Sequence, residues 1–186
     1  MLATDHDVDA ARRVLVVGVT GSGKSTLARR LAEARGVLLV DGDEIGWLPG
    51  WVQRDPDEQR SIAARLLAAE DWVLASAWSA WSDLALSRAD LVVALDLPRL
   101  VSLRRLVVRT ARRLWTGERV CNGNTESLRA VLSHDSVVLW HFRTFARKRA
   151  TAREWTADPT APPVLVLRSA AEVEALAARL VVVRAG

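Results

Sequence analysis

Residues 18–25 read Gly-Val-Thr-Gly-Ser-Gly-Lys-Ser, and every fixed position of the pattern G-x-x-x-x-G-K-[ST] is filled. Each residue type has a job in gripping phosphate. Gly18, Gly21 and Gly23 let the backbone come close to phosphate oxygens. The successive N–H groups of Gly21, Ser22, Gly23, Lys24 and Ser25 make a concave anion nest. A helix opening near Lys24 would aim its positive end at the same charge. The Lys24 ammonium is suited to the β- and γ-phosphates, the Ser25 hydroxyl to Mg²⁺, and the Thr26 hydroxyl to the α-phosphate. The expected ligand is a nucleoside triphosphate such as ATP, with magnesium. A chance glycine turn is the bland alternative.

Other candidates stand where short apolar runs end, at Asp41, Asp43, Ser76 and Asp96. Asp43 is the candidate general base for an acceptor hydroxyl. Its bland counterpart is a turn aspartate, and the sequence leaves both open. Asp96 suits a metal or a helix cap near Pro98, the cap being the simpler reading. Trp47, Trp51, Trp78 and Trp81 are read first as core, with stacking on a base or sugar as the functional alternative. Cys121 lies in a turn, Cys121-Asn122-Gly123-Asn124, with no histidine nearby to activate it. His134 and His141 read as helix-surface residues, and no metal-ligand spacing is present.

A third feature is a run of cations. Between Arg99 and Arg153 the bases include Arg105, Arg109, Arg112, Arg129, Arg143, Arg147 and Lys148, against Glu118, Glu126 and Asp135 as the acids. Arg105, Arg109 and Arg112 share a helical face, as do Arg143 and Arg147. Like charges so placed favour an anionic partner, and the guanidinium fork suits phosphate. One reading is a lid closing over a triphosphate and its acceptor, with Arg109, Arg143 and Arg147 on the transferring group. Another is a footprint for nucleic-acid backbone. The third is a solvated helix face. The phosphate loop already calls for an anion, so the lid is favoured.

The elements that would hold these residues alternate between strand and helix, the pattern of a parallel α/β sheet. Strands are expected at 13–17, 37–40, 72–75, 91–95 and 164–167. Helices are expected from Lys24 to Ala34, from Asp55-Pro56 to about Glu70, from Pro98, from Val137 to about Arg153, and from Ser169 to Leu180, where Ser169 and Glu172 form a capping box. Residues 46–51 read as turn-rich, 76–87 as irregular or part helical, and 116–125 as loop. In the helix from Pro98, Leu100, Leu103, Val107, Ala111 and Leu114 form the expected apolar stripe. Such sheets bind ligands at the carboxyl ends of their strands, beside the phosphate loop.

The chain of 186 residues is 50% hydrophobic, enough for a full core in one domain. Its net charge of +4 permits an anionic partner without naming one. Cys121 is the sole cysteine, which excludes an intrachain disulfide and fits a reducing cytoplasm. No leader-like or membrane-spanning apolar stretch is present. A membrane partner is not expected, and the oligomeric state is open.

Four segments together carry a family resemblance. They are Gly18-Val-Thr-Gly-Ser-Gly-Lys-Ser-Thr26, Asp43-Glu-Ile-Gly-Trp47-Leu-Pro-Gly-Trp51, Leu95-Asp-Leu-Pro-Arg99 and Phe142-Arg-Thr-Phe-Ala-Arg-Lys-Arg149. In order and spacing the chain resembles the small adenylate-kinase-related P-loop proteins often labelled "DNA topology modulation protein". The resemblance implies a three-layer P-loop NTPase fold of the nucleoside-monophosphate-kinase type, with a five-stranded parallel sheet and a small helical lid. The lid is expected around residues 112–136 of one domain spanning 1–186. It implies ATP binding and phosphoryl transfer to a small acceptor, nucleotide or nucleoside-like. A nucleotide-binding switch and a nucleic-acid-binding ATPase are the rivals. One departure bears on catalysis. Relatives tend to carry an Asp-Gly-Asn-Tyr-like stretch where this chain has Ala75-Ser76-Ala77-Trp78, so a magnesium-organising aspartate is replaced by Ala75, with Asp43 or Asp96 as substitutes.

Overall fold

The computed structural model describes residues 1–127, 131 and 136–182. Arg129, His134 and Asp135, named above, lie outside the described residues, as does much of the second half of the expected lid.

Five runs rich in Val and Leu form one parallel sheet: β1 (Arg13–Gly18), β2 (Leu38–Asp41), β5 (Trp72–Ala75), β6 (Leu91–Leu95) and β9 (Val164–Leu167). Their order is β2-β5-β1-β6-β9. Every residue of β5 and β6 is buried, as expected of strands covered on both faces. Along β1 the side chains alternate. Val14 and Val16 join Leu27 and Leu31 of α2 (Lys24–Arg35) and Leu176 of the terminal helix α8 (Ala170–Val182). Leu15 joins Ala63 of α4 (Pro56–Leu66) and Ala85 of α5 (Ser82–Arg88). Trp155 of α7 (Val137–Ala157) packs on that second core. The result is three layers, helix–sheet–helix. A short α1 (Asp5–Ala10) precedes the sheet, with a Thr4–Asp7 capping box.

Helix starts follow the local sequence. The Asp55 side chain caps α4 by accepting from Asp57 and Glu58 N–H, with Pro56 at the first position. The capping-box expectation at Ser169 holds in part. Glu172 N–H donates to Ser169 Oγ at 3.1 Å, while the Glu172 carboxylate takes Arg168 N–H rather than that of Ser169.

Three expectations are corrected. The segment 46–51, read as turn-rich, supplies the turn but also the first strand of a hairpin, β3 (Trp47–Leu48) with β4 (Val52–Gln53), and a short α3 (Gly42–Gly46) precedes it. The segment read as loop carries a second hairpin, β7 (Arg119–Val120) with β8 (Asn124–Thr125). The stripe chosen for α6 (Arg99–Thr116) is not the buried one: Leu100 is 78% exposed, while Ser102, Leu106 and Thr110 are buried. The reason lies in the phosphate loop. A Cβ on Gly21 would come within 2.3 Å of the Ser102 carbonyl and 2.9 Å of Leu106 Cβ, so α6 presses its smaller side chains onto the loop backbone.

Candidate active site

Strand β1 is the sheet's centre, flanked by β5 and β6, and the strands that follow it in sequence are added first to one side of it and then to the other. The crevice at its carboxyl end is where such sheets take ligands. Residues 18–23 fill that position. Gly21 and Gly23 have φ of 83° and 94°, which a side chain would strain. Gly23 caps α2 with no side-chain hydrogen bond, so the helix's first N–H groups stay directed at the loop. Ser22 N–H turns back to the Val19 carbonyl at 3.1 Å. Beside the loop lies a cleft of about 270 Å³, lined by Gly21, Ser22, Gly23, Thr26, Arg105 and Arg109 and closed below by α8.

Lys24 and Ser25 are half-buried in the first turn of α2, and Thr26 is exposed. Burial lowers the Lys24 pKa, and the carboxylate of Asp43, followed by that of Asp41, opposes the shift. Asp43 is thus the carboxylate that acts most on the Lys24 ammonium. Asp43 follows from strand geometry. β2 ends at Asp41, whose Oδ1 accepts Asp43 N–H at 3.0 Å and starts α3. Burial raises the Asp41 pKa, the Asp43 N–H bond opposes it, and the Asp43 and Glu44 charges add to it.

The replacement at residue 75 is now visible. Ala75 is 1% exposed, inside the apolar cluster with Leu27 and Ala28. Ser76 adopts φ 66°, in the left-handed region that glycine takes freely, where the resemblance places glycine. Asp96 does not cap α6, which has no side-chain cap; it pairs with Arg149, whose Nη2 donates to Oδ2 at 2.9 Å. Of the two proposed substitutes, Asp96 is taken by Arg149, and Asp43 is the one that acts on the Lys24 ammonium.

The basic helices contribute unevenly. Arg105 Nη1 donates to the Ser22 carbonyl at 3.1 Å. Arg109 is half-buried, its pKa lowered by burial and then by Arg113, with Glu126 and Asp43 opposing. Its Nε has no hydrogen-bond partner among the described residues. Arg112 turns away to Glu118, and Arg113 is held by Glu118 and Glu126. Arg143 and Arg147 are exposed on α7. Besides Arg149, α7 turns Lys148 inward, whose pKa burial and then the Lys24 charge lower to about 8. The sequence held a signal for it: in a chain with 26 basic residues, Lys24 and Lys148 are the only lysines. His141 corrects a second expectation. It is fully buried, and its Nδ1 lies 2.9 Å from the Thr20 carbonyl of the phosphate loop.

Three tryptophans wall the Asp43 side. Trp47 meets Trp78 edge-on at 5.3 Å and Trp51 at 5.7 Å. Trp81 is core, as its type suggests. The β7–β8 hairpin docks onto this wall through asparagines. Asn124 Oδ1 accepts Trp51 N–H at 2.8 Å, Asn124 Nδ2 donates to the Leu48 carbonyl at 3.0 Å, and Asn122 Nδ2 donates to the Glu44 and Trp47 carbonyls. No described helix is long and apolar enough to cross a membrane.

Known proteins resemble this chain in sequence or in fold. The chain is 27% identical over 154 residues to the uncharacterized protein YqaC of Bacillus subtilis (strain 168), covering 81% of this chain and 85% of that one. A shikimate kinase structure from Bacteroides thetaiotaomicron matches with a TM-score of 0.54 at 17% identity, over 92% of this chain and 97% of that one. A gluconokinase structure from Sinorhizobium meliloti 1021 matches with a TM-score of 0.50 at 21% identity, over 90% and 92%. These two structures share the fold. The family model described as "AAA domain" matches residues 14–114, from β1 through most of α6. The chain belongs to this AAA domain family.

Proposed function

We propose that the chain is an ATP-dependent phosphotransferase acting on a small hydroxyl-bearing acceptor, nucleotide or nucleoside-like. The observation that carries this reading is the Asp43 carboxylate, held by the Trp78 indole N–H at 3.1 Å just past the end of β2, where it acts on the Lys24 ammonium of the phosphate loop. A phosphate grip alone needs no such carboxylate. A transferase does, because the acceptor hydroxyl must be oriented and relieved of its proton.

The triphosphate lies along Gly18 and residues 21–26, with Arg105 and Arg109 over the cleft beside it. The magnesium expected with ATP fits the donors present. Ser25 and Asp41 offer hard oxygens, and the phosphates would supply the remaining ligands. When bound, the ion would draw charge from the β- and γ-oxygens. Lys24 neutralises those same oxygens. Asp43 takes the acceptor proton as the acceptor oxygen bonds to the γ-phosphorus. The bond from that phosphorus to the β–γ bridging oxygen breaks, and ADP leaves with the electron pair. Arg109 stabilises the charge on the transferring group. Arg143 and Arg147, exposed on α7, add positive potential on that side. The lid over residues 112–136 belongs to one kinase-like domain, and its hairpin excludes water by docking on the tryptophan wall. A cytoplasmic setting suits a substrate of this kind.

Ala75 favours one second reading, a nucleotide-binding switch with weak transfer, because the aspartate of the resemblance is replaced by a buried methyl. One experiment separates the two. ADP release is followed with a panel of nucleosides, nucleotides and sugar-like alcohols, for the native chain and Asp43→Asn. Acceptor-dependent release that Asp43→Asn lowers by about a hundredfold supports the kinase. ATP binding with no acceptor-dependent release supports the switch. Unchanged ATP affinity in Lys24→Ala overturns both.

A further inference from the structure

Helix α7 is fixed at two points, one on the phosphate loop and one at the end of β6. His141 meets the Thr20 carbonyl, and Arg149 pairs with Asp96 at the end of β6. Phe145, 7% exposed, packs between them, with the Arg149 and Arg99 guanidinium groups over its ring at 5.5 and 4.7 Å. Positions 141, 145, 148, 149 and 152 fall on one face of a helix. Lys148 therefore lies on the face that α7 turns to the loop, and it lines a small cavity of about 20 Å³ with Gly18, Val19, Leu95, Asp96 and Arg149.

The groups facing Lys148 are known from each side. Lys24 of α2, Asp43 of α3 and Arg147 of its own helix act on it electrostatically, and Asp96 and Arg149 border the same cavity. Asp96 is already taken by Arg149. Lys148 and Lys24 repel each other, and both gain from an anion shared between them. A phosphoryl group at the loop has that charge. Its ammonium donors form a compact point charge, which a phosphate accepts readily.

We propose that Lys148 is a second catalytic lysine of the phosphate site, delivered by α7 to the γ-phosphoryl oxygens while Lys24 holds the loop side. His141 and Arg149 are positioning residues that hold the helix at the required depth. This assignment rests on the kinase reading. Because burial and Lys24 bring the Lys148 pKa to about 8, its charge is present below that pH and lost above it. Bound phosphate favours the charged form, so triphosphate affinity must fall as the pH rises through about 8.

The test compares ATP and ADP affinities by titration calorimetry for the native chain, Lys148→Met, Lys148→Arg and Lys24→Ala, with thermal melts to verify folding. Lys148→Met is expected to weaken ATP about tenfold or more while changing ADP by less than about threefold. Lys148→Arg is expected to restore ATP affinity and to remove the decline above pH 8, since guanidinium keeps its charge there. This second variant carries the test if Lys148→Met melts early. An unchanged ATP-to-ADP preference in Lys148→Met, or a pH decline that persists in Lys148→Arg, overturns the assignment. If Lys24→Ala loses ATP while Lys148→Met keeps it, the kinase reading stands and Lys148 alone falls. If the native chain binds no triphosphate, both fall.

Discussion

Trp78 donates its indole N–H to the Asp43 carboxylate at 3.1 Å, joining the segment after β5 to the segment after β2. Two glycines one helical turn apart make that contact possible. A Cβ on Gly42 would lie 1.7 Å from the Ser76 carbonyl, and one on Gly46 would lie 2.4 Å from the Trp78 ring. The 76–78 segment therefore rests directly on the α3 backbone. Trp47 then holds the Trp78 ring edge-on. The proposed base is aimed by an indole that packing has already fixed.

Removing that one hydrogen bond should separate orientation from stability. Trp78→Phe keeps most of the ring contact with Trp47 and Gly46 but loses the donor. Turnover with the working acceptor is expected to fall about tenfold, with a stability change of only about 1 kcal/mol. Steady-state kinetics and urea unfolding measure the two. Full turnover in Trp78→Phe would mean that Asp43 needs no such partner.

Gly46→Ala attacks the same contact from the other side. The new methyl and the indole cannot both keep their places, and the ring yields more easily than the α3 backbone. The variant is expected to lose about 1–3 kcal/mol, as overpacked sites do. It should also lose turnover in step with Trp78→Phe. In the double variant the two turnover losses should not add, because both act through the position of one ring. Independent, additive losses would refute a shared cause.

The phosphate loop was legible because its signal is local. β-Branched residues, glycines and a lysine follow one another within thirteen positions, and residues 13–25 fold as that order dictates. Central strands buried on both faces announce themselves in the same way. The inner faces of α6 and α7 did not. Their burial is set by contact with the loop backbone, which favours Ser102 on one helix and His141 on the other, over the apolar stripe that periodicity selects. Lys148 went unassigned for the same reason, since its direction depends on anchors at Thr20 and Asp96, far away in sequence. The hairpins at 47–53 and 119–125 have two-residue strands, too short for a pattern. Asparagine bonds across more than seventy residues fix them together.

Asn124 is the clearest of those fasteners. It is 4% exposed and satisfies Trp51 N–H, the Leu48 carbonyl and the Cys121 carbonyl at once. Asn124→Ala would strand these groups and is expected to cost about 2 kcal/mol. The loss should be local. Hydrogen exchange is expected to speed at Trp51 and along 119–125, while β1, β5 and β6 keep their protection. Uniform deprotection of the sheet would show that the hairpins are part of the global fold rather than a cover on it.

Cys121 reports on the charge of the site. Burial pushes its thiol pKa up to about 12, and the carboxylates of Asp43 and Asp41 add to the rise while Arg113 opposes it. The reactive species is the thiolate, so the native protein at pH 8 should react with a maleimide at least about a hundredfold more slowly than the urea-unfolded chain. Because the native state keeps a proton that the unfolded state releases, stability should decline as the pH rises from about 9 towards 12, and Cys121→Ala should flatten that decline. Asp43→Asn removes the larger of the two carboxylate contributions. It should raise the labelling rate of the folded protein, with melting checked to exclude simple opening. A rate unmoved by Asp43→Asn would place the carboxylate too far from the thiol to share a site with it.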